Sequence, residues 1–183
     1  MDMKPIKRVV VLFDLAGCAK AFQSEGDEKM IAVLSDYYAA CEEVVAAREG
    51  RVIKFIGDGC LSVFAEDHAL AAVHATTEMQ RRVGVLADRL HVAIQLGANL
   101  HLALVYEMPV QGRVDIFGRG VNQTFLLGRG AGVRISEPVY RALPSSARSA
   151  WMKYKPPAVY HLDASEGLLE GLGKSAVQNL ERW

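Results

Sequence analysis

No stretch of this sequence approaches the roughly 20 consecutive apolar residues that a membrane-spanning helix needs, so no membrane role is expected. Neither sign of charge is in excess. Lys plus Arg and Asp plus Glu number 21 each, and without a basic surplus nothing advertises nucleic acid or an anionic lipid surface. Cysteine is scarce. Cys18, Cys41 and Cys60 are an odd set with neither CxxC nor zinc-finger spacing, which reads as reduced thiols in a cytoplasmic protein. A secretory signal is not expected either. The start, MDMKPIKRVVVLFD, places basic residues before apolar ones, but the run Val9–Phe13 ends at Asp14, too short for the apolar region of a signal peptide. Internal repeats and low-complexity segments are also missing.

What is present is the composition of a folded domain. The 183 residues are 51% hydrophobic and 23% charged, enough apolar material for a sizeable core and most simply one domain. Val9–Phe13 is β-branched and apolar on both parities, which predicts a central strand buried on both faces. Between Glu28 and Arg48, the stripe Ile31, Leu34, Tyr38, Cys41 and Val45 predicts an amphipathic helix that Gly50 stops. Arg51–Ile56 and Cys60–Phe64 flank Gly57-Asp58-Gly59 and read as a hairpin. A second helix is expected over Ala65 to Leu86, on a stripe of Leu70, Val73, Thr77, Gln80 and Val83. His91–Leu96 and His101–Tyr106 read as another strand pair, Gly118 to Leu127 as a helix, and Val133–Ile135 and Ala158–Leu162 as further strands. This order predicts an α+β sandwich, with helices on one side of a mixed sheet. Residues 1–163 form the expected domain. Residues 164–183 read as a looser tail, with Leu169, Leu172, Ala176, Leu180 and Trp183 at helical steps.

Two lone carboxylates stand out. VVVLFDLAG (9–17) and KFIGDGCLSVF (54–64) are apolar runs, each holding a single aspartate beside glycine. An aspartate there starts a turn well. Two of them at two strand tips can also meet at one cation, since hard oxygen donors suit Mg²⁺ or Mn²⁺.

In three blocks the sequence resembles the class III nucleotidyl cyclases, the adenylyl and guanylyl cyclase catalytic domains, over roughly Lys7 to Leu162. FDLAG is similar to the family's first metal loop, F-x-D-I-x-G-F. KFIGDG is similar to the second, K-x-x-G-D, and DIFGRGVNQTFLL to the third, D-x-x-G-x-x-V-N-x-A-x-R-L. The resemblance implies a ferredoxin-like, cyclase-type mixed sheet flanked by helices. It implies conversion of ATP to cyclic AMP with two divalent ions, Mg²⁺ or Mn²⁺, held by Asp14, Asp58 and the carbonyl of Leu15. Lys54 and Asp115 match the pair that reads adenine, and Asn122 the asparagine that orients the ribose. Lys155 matches the lysine that holds the triphosphate, with Lys153 competing for that role. The resemblance also implies a head-to-tail homodimer, the metal residues of one subunit facing Lys54, Asp115 and Asn122 of the other. No attached sensor domain is expected, which leaves room for a regulatory protein partner.

The departures from the pattern bear on turnover. The family's transition-state arginine falls at Leu126, and Thr124 and Phe125 replace the usual small residues before it. Removing such a donor typically costs about 10²–10³ in rate. Arg129, two helical turns beyond Asn122, and Arg119, in the preceding turn, are the nearby cations. The alternative is therefore a degenerate homologue that binds nucleotide or a partner without turnover. GANLH stands where the family has G-I-H-x-G, which puts His101 in place of a glycine. Cys18 and Cys60, beside the two metal loops, read as small buried hydrophobes.

Overall fold

A computed structural model describes residues 4–155 and 159–162. The strands are β1 (Ile6–Ala16), β2 (Arg51–Ile56), β3 (Gly59–Ala65), β4 (Gln95–Val110), β5 (Arg113–Phe117), β6 (Gly132–Ser136), β7 (Met152–Lys155) and β8 (Val159–Leu162). The helices are α1 (Cys18–Glu25), α2 (Asp27–Ala46), α3 (Ala69–Leu90), α4 (Arg119–Leu126), α5 (Glu137–Ala142) and α6 (Ser145–Arg148). The strands form one mixed sheet in the order β2-β3-β1-β4-β6-β8-β7, and β5 pairs with the far end of β4. β4 and β6 run parallel, while β1 is antiparallel to both β3 and β4. This is the expected α+β architecture.

β1 is central because both its faces are apolar. Val9, Val11, Phe13 and Leu15 pack against Met30, Tyr37 and Met79 of α2 and α3, where full burial of each large side chain is worth about 1.5–3 kcal/mol. Val10 faces the other way, into a smaller cluster with Leu61, Val63, Val105, Ile116 and Val121. Val121 belongs to α4, so the helices do not all lie on one side, as the element order alone predicts. α2 and α3 cover one face. α4 and the β4–β5 ribbon cover part of the other.

Other expectations shift. The strand pair over 91–106 is one long strand, and its hairpin turn falls at Gln111-Gly112, both at positive φ. On α2 the buried residues are Met30, Val33, Tyr37, Cys41, Val44 and Val45, so that Cys41 and Val45 of the expected stripe are buried, while Ile31 is 62% exposed. Two adjacent apolar stripes run along this helix, and only packing selects between them. On α3, Thr76 and Met79 are buried in place of Thr77 and Gln80. No helix among the described residues is long and apolar enough to cross a membrane. The predicted tail, 164–183, lies outside the described residues.

Candidate active site

Asp14 lies near the end of β1, just beyond its last pair with β3, Phe13↔Cys60, and opposite Gly97 of β4. Leu15, the expected backbone ligand, follows with its side chain locked in the core. Asp58 sits in the tight turn between β2 and β3. The β1–β3 register therefore carries that turn to the end of β1. Their closeness is visible electrostatically. The Asp14 carboxyl is pushed above the ordinary carboxylate value, first by burial and then by the negative charge of Asp58, with Arg129 acting in the opposite direction.

Three further residues shape this corner. The Tyr38 hydroxyl donates to the carbonyl of Gly57, and its ring stacks on Phe55 with centroids 4.1 Å apart. α2 thus grips the turn that presents Asp58, and Tyr38 is more than a core residue. The Cys18 thiol hydrogen-bonds the Asp58 carboxylate and is pushed up to about 11 by burial, then by Asp58 and Asp14. The thiol is neutral at physiological pH in the metal-free chain. Gly17 turns the chain into α1 with φ 92°, and a Cβ there would lie 2.6 Å from the carbonyl oxygen of Ala93. Glycine is required on both counts.

Neither aspartate forms an ion pair among the described residues. Two hard carboxylates drawn together, with no ion pair to either and only the more distant charge of Arg129 opposing them, suit a divalent cation. The described residues contain no group of three or more His, Cys, Asp or Glu side chains placed for a metal. Further ligands would have to be carbonyl, water or phosphate oxygens.

Lys54 and Asp115 meet elsewhere. The Lys54 ammonium donates to the Asp115 carboxylate at 2.7 Å, and the amide of Ile116 donates to the other carboxylate oxygen at 2.8 Å. The register of β2 against β3 slips between Val52 and Lys54, an irregularity of the kind that re-aims side chains. A cavity of about 550 Å³ adjoins this pair, lined among others by Lys54, Ile116, Arg119 and Asn122. A second cavity, of about 370 Å³, is lined by Asp14, Asn99, Leu126 and Arg129. Ile56 and Phe125 line both. The chain thus separates the metal candidates from the base-reading candidates, in two neighbouring clefts.

The remaining expected residues divide. Asn122 is exposed on α4, in the cleft with Lys54. Lys155 falls in β7, and its side chain lies outside the described residues. Leu126 is 81% exposed. α4 ends there, and Arg129 lies in the glycine-rich loop that follows. Arg119 stays in the Lys54 cleft. His101 hydrogen-bonds Gln123 at 3.1 Å, and burial pushes it below the ordinary histidine value. Sequence reasoning passed over Asn99. It is 5% exposed, donates through Nδ2 to the carbonyl of Gly128 at 2.9 Å, and leaves Oδ1 without a partner among the described residues. The only signal was an amide between two runs read as strands, at a position that lies inside β4.

No protein-family model and no curated protein matches the sequence. Solved structures do. The guanylyl cyclase Cya2 superposes with a TM-score of 0.77 at 20% identity, covering 93% of this chain and 98% of that one. The adenylyl cyclase CyaB from P. aeruginosa gives 0.76 at 16% identity, covering 91% and 98%. A bacterial light-regulated adenylyl cyclase gives 0.75 at 16% identity; it covers all of this chain, which spans 58% of that longer one. At these identities the likeness is one of architecture. The chain has the fold of adenylyl and guanylyl cyclase catalytic domains.

Proposed function

We propose that this chain converts ATP to cyclic AMP and pyrophosphate, with two Mg²⁺ or Mn²⁺ ions at Asp14 and Asp58, in a head-to-tail homodimer. One observation carries the reading. Two carboxylates from separate strand ends converge; burial first, and then the charge of Asp58, makes Asp14 harder to ionise, with no ion-pair partner for either among the described residues. Such a pair is costly unless a cation joins it.

In the reaction the ribose 3′-oxygen forms a bond to the α-phosphorus, the bond from that phosphorus to the β-phosphate bridging oxygen breaks, and the hydroxyl proton leaves to solvent. Bound divalent ions supply charge neutralisation and acidify the attacking hydroxyl. The chain's own residues do the rest. Lys54 offers an N–H donor to an adenine ring nitrogen, and Asp115 an acceptor to the exocyclic amine. Guanine would set its carbonyl against Asp115, and an unpaired buried polar group costs about 1–3 kcal/mol. Asn122 orients the ribose, and Lys155, by resemblance, holds the phosphates.

A second copy is favoured because the two groups of residues lie in different clefts of one chain. It is also favoured by exposed apolar side chains around those clefts, among them Leu104 at 58%, Phe117 at 40% and Leu126 at 81%. Patches of this kind commonly mark interfaces. The three cysteines are free and buried, which suits a reducing cytoplasm.

Leu126 favours a second reading, a homologue that binds nucleotide without turnover. The test is purified protein with ATP and Mn²⁺, with product identified by mass. Slow formation of cyclic AMP is expected. Mn²⁺-dependent ATP binding without any cyclic AMP would instead support the binding module.

A further inference from the structure

The missing cation at position 126 directs attention to the loop that follows α4. Gly128-Arg129-Gly130-Ala131-Gly132 is pinned from two sides. The Arg134 guanidinium donates to the carbonyls of Arg129 at 2.7 Å, Gly130 at 3.2 Å, Ala131 at 3.0 Å and Gly132 at 3.4 Å. Asn99 holds the carbonyl of Gly128. With these carbonyls committed, the backbone N–H groups of Gly128, Arg129, Gly130 and Ala131 donate to no acceptor among the described residues. Arg129 is exposed and forms no ion pair there. A preorganised run of free N–H groups beside a free guanidinium is suited to an anion.

The sheet places this loop next to Asp14. Asp14 pairs with Gly97, and Gly97 pairs with Gly132 at the start of β6. That is two strand spacings, about 10 Å, and the loop closes over the intervening residue. A Cβ on Gly97 would lie 2.4 Å from the carbonyl oxygen of Gly130. Only a glycine at 97 lets the loop settle there, and Asp14 and Arg129 then line one cavity. Arg129 also offsets part of the effect of Asp58 on Asp14.

We propose that Arg129, with the amides of its loop, binds phosphate oxygens of the nucleotide in the same subunit that contributes Asp14 and Asp58. The charge absent at Leu126 is thereby supplied in cis. This rests on the reading of Asp14 and Asp58 as a nucleotide–metal site, and its test separates the two.

The probe is inorganic tripolyphosphate, titrated calorimetrically into the full chain with and without Mn²⁺. Arg129→Ala is expected to weaken binding about 10- to 100-fold, the range for loss of charged hydrogen bonds, while Arg129→Lys recovers much of it. Unchanged thermal melts of both variants exclude a folding defect. If Arg129→Ala binds like the parent while Asp14→Asn loses affinity, the inference fails and the metal site stands. If binding ignores Mn²⁺ and Asp14→Asn but is lost in Arg129→Ala, the anion cradle stands and the metal reading fails. A parent chain that does not bind tripolyphosphate overturns the inference outright.

Discussion

In the cleft beside β5, Lys54 and Asp115 neutralise each other at 2.7 Å. In the cleft at the end of β1, Asp14 and Asp58 oppose each other with no ion-pair partner among the described residues. Both contain a carboxylate that sequence alone would describe as a turn residue. The first arrangement is complete as it stands and, on the proposed reading, opens its hydrogen bonds to a base. The second is electrostatically unfinished and gains most from a bound cation. If the proposed reading holds, a site that recognises a base is satisfied at rest, whereas a site that assembles a metal–phosphate complex is left short of positive charge.

The comparison breaks most sharply at the unfinished cleft. Asp14→Asn or Asp58→Asn should reduce Mn²⁺-dependent ATP binding by about 10- to 100-fold, since each removes one charged hard ligand of a half-buried pair. Calorimetry with Mn²⁺ present and absent reads this directly, and parent-like binding by both variants would remove the two-aspartate site. Next in size is Leu126→Arg. A guanidinium facing charge that develops only on the way to product should raise kcat by up to about 10²-fold with little change in KM. If the cis cation at Arg129 already suffices, the gain will be small, and Arg129→Ala will lower the parent's activity instead.

The completed cleft gives smaller effects. ATP should bind more tightly than GTP by about tenfold, and Asp115→Ala should narrow that ratio, since one misplaced hydrogen bond costs about 1–3 kcal/mol. Equal affinity of the parent for both triphosphates would sink the base assignment. The smallest effect concerns stability. Because the folded Asp14 carboxyl is raised from its ordinary 3.8, ionising it costs more in the folded chain than in the unfolded one. Metal-free parent protein should therefore lose stability as pH rises from below 3.8 through the raised value. Asp14→Asn lacks this loss and should melt higher than the parent at neutral pH in chelator, with the difference vanishing below pH 3.8.

Much of the scaffold was readable in the residues. Val9–Phe13, apolar on both parities, had to be an interior strand, and Gly57-Asp58 between apolar runs had to turn. The three motif blocks picked out Asp14, Asp58, Lys54, Asp115 and Asn122, and each falls in one of two neighbouring clefts or, for Asp58 and Asp115, directly beside one. Other features were beyond the pattern. The buried stripe of α2 depended on which of two apolar faces met the sheet. The length of β4 was hidden because Gly97-Ala98-Asn99, small and polar residues that read as a break between two strands, lies inside it.

Local chemistry, then, determined where strands, turns and motif carboxylates occur, because side-chain periodicity and turn preference act over a few residues. The tertiary structure alone decided which charges face each other. Cys18 reaches Asp58, Tyr38 holds the turn at Gly57, and Arg129 comes beside Asp14 rather than continuing α4. Each of these depends on the pairing of β1 with β3 and β4 and of β4 with β6. Such pairings join residues tens of positions apart, and their register follows from packing both faces of the sheet at once.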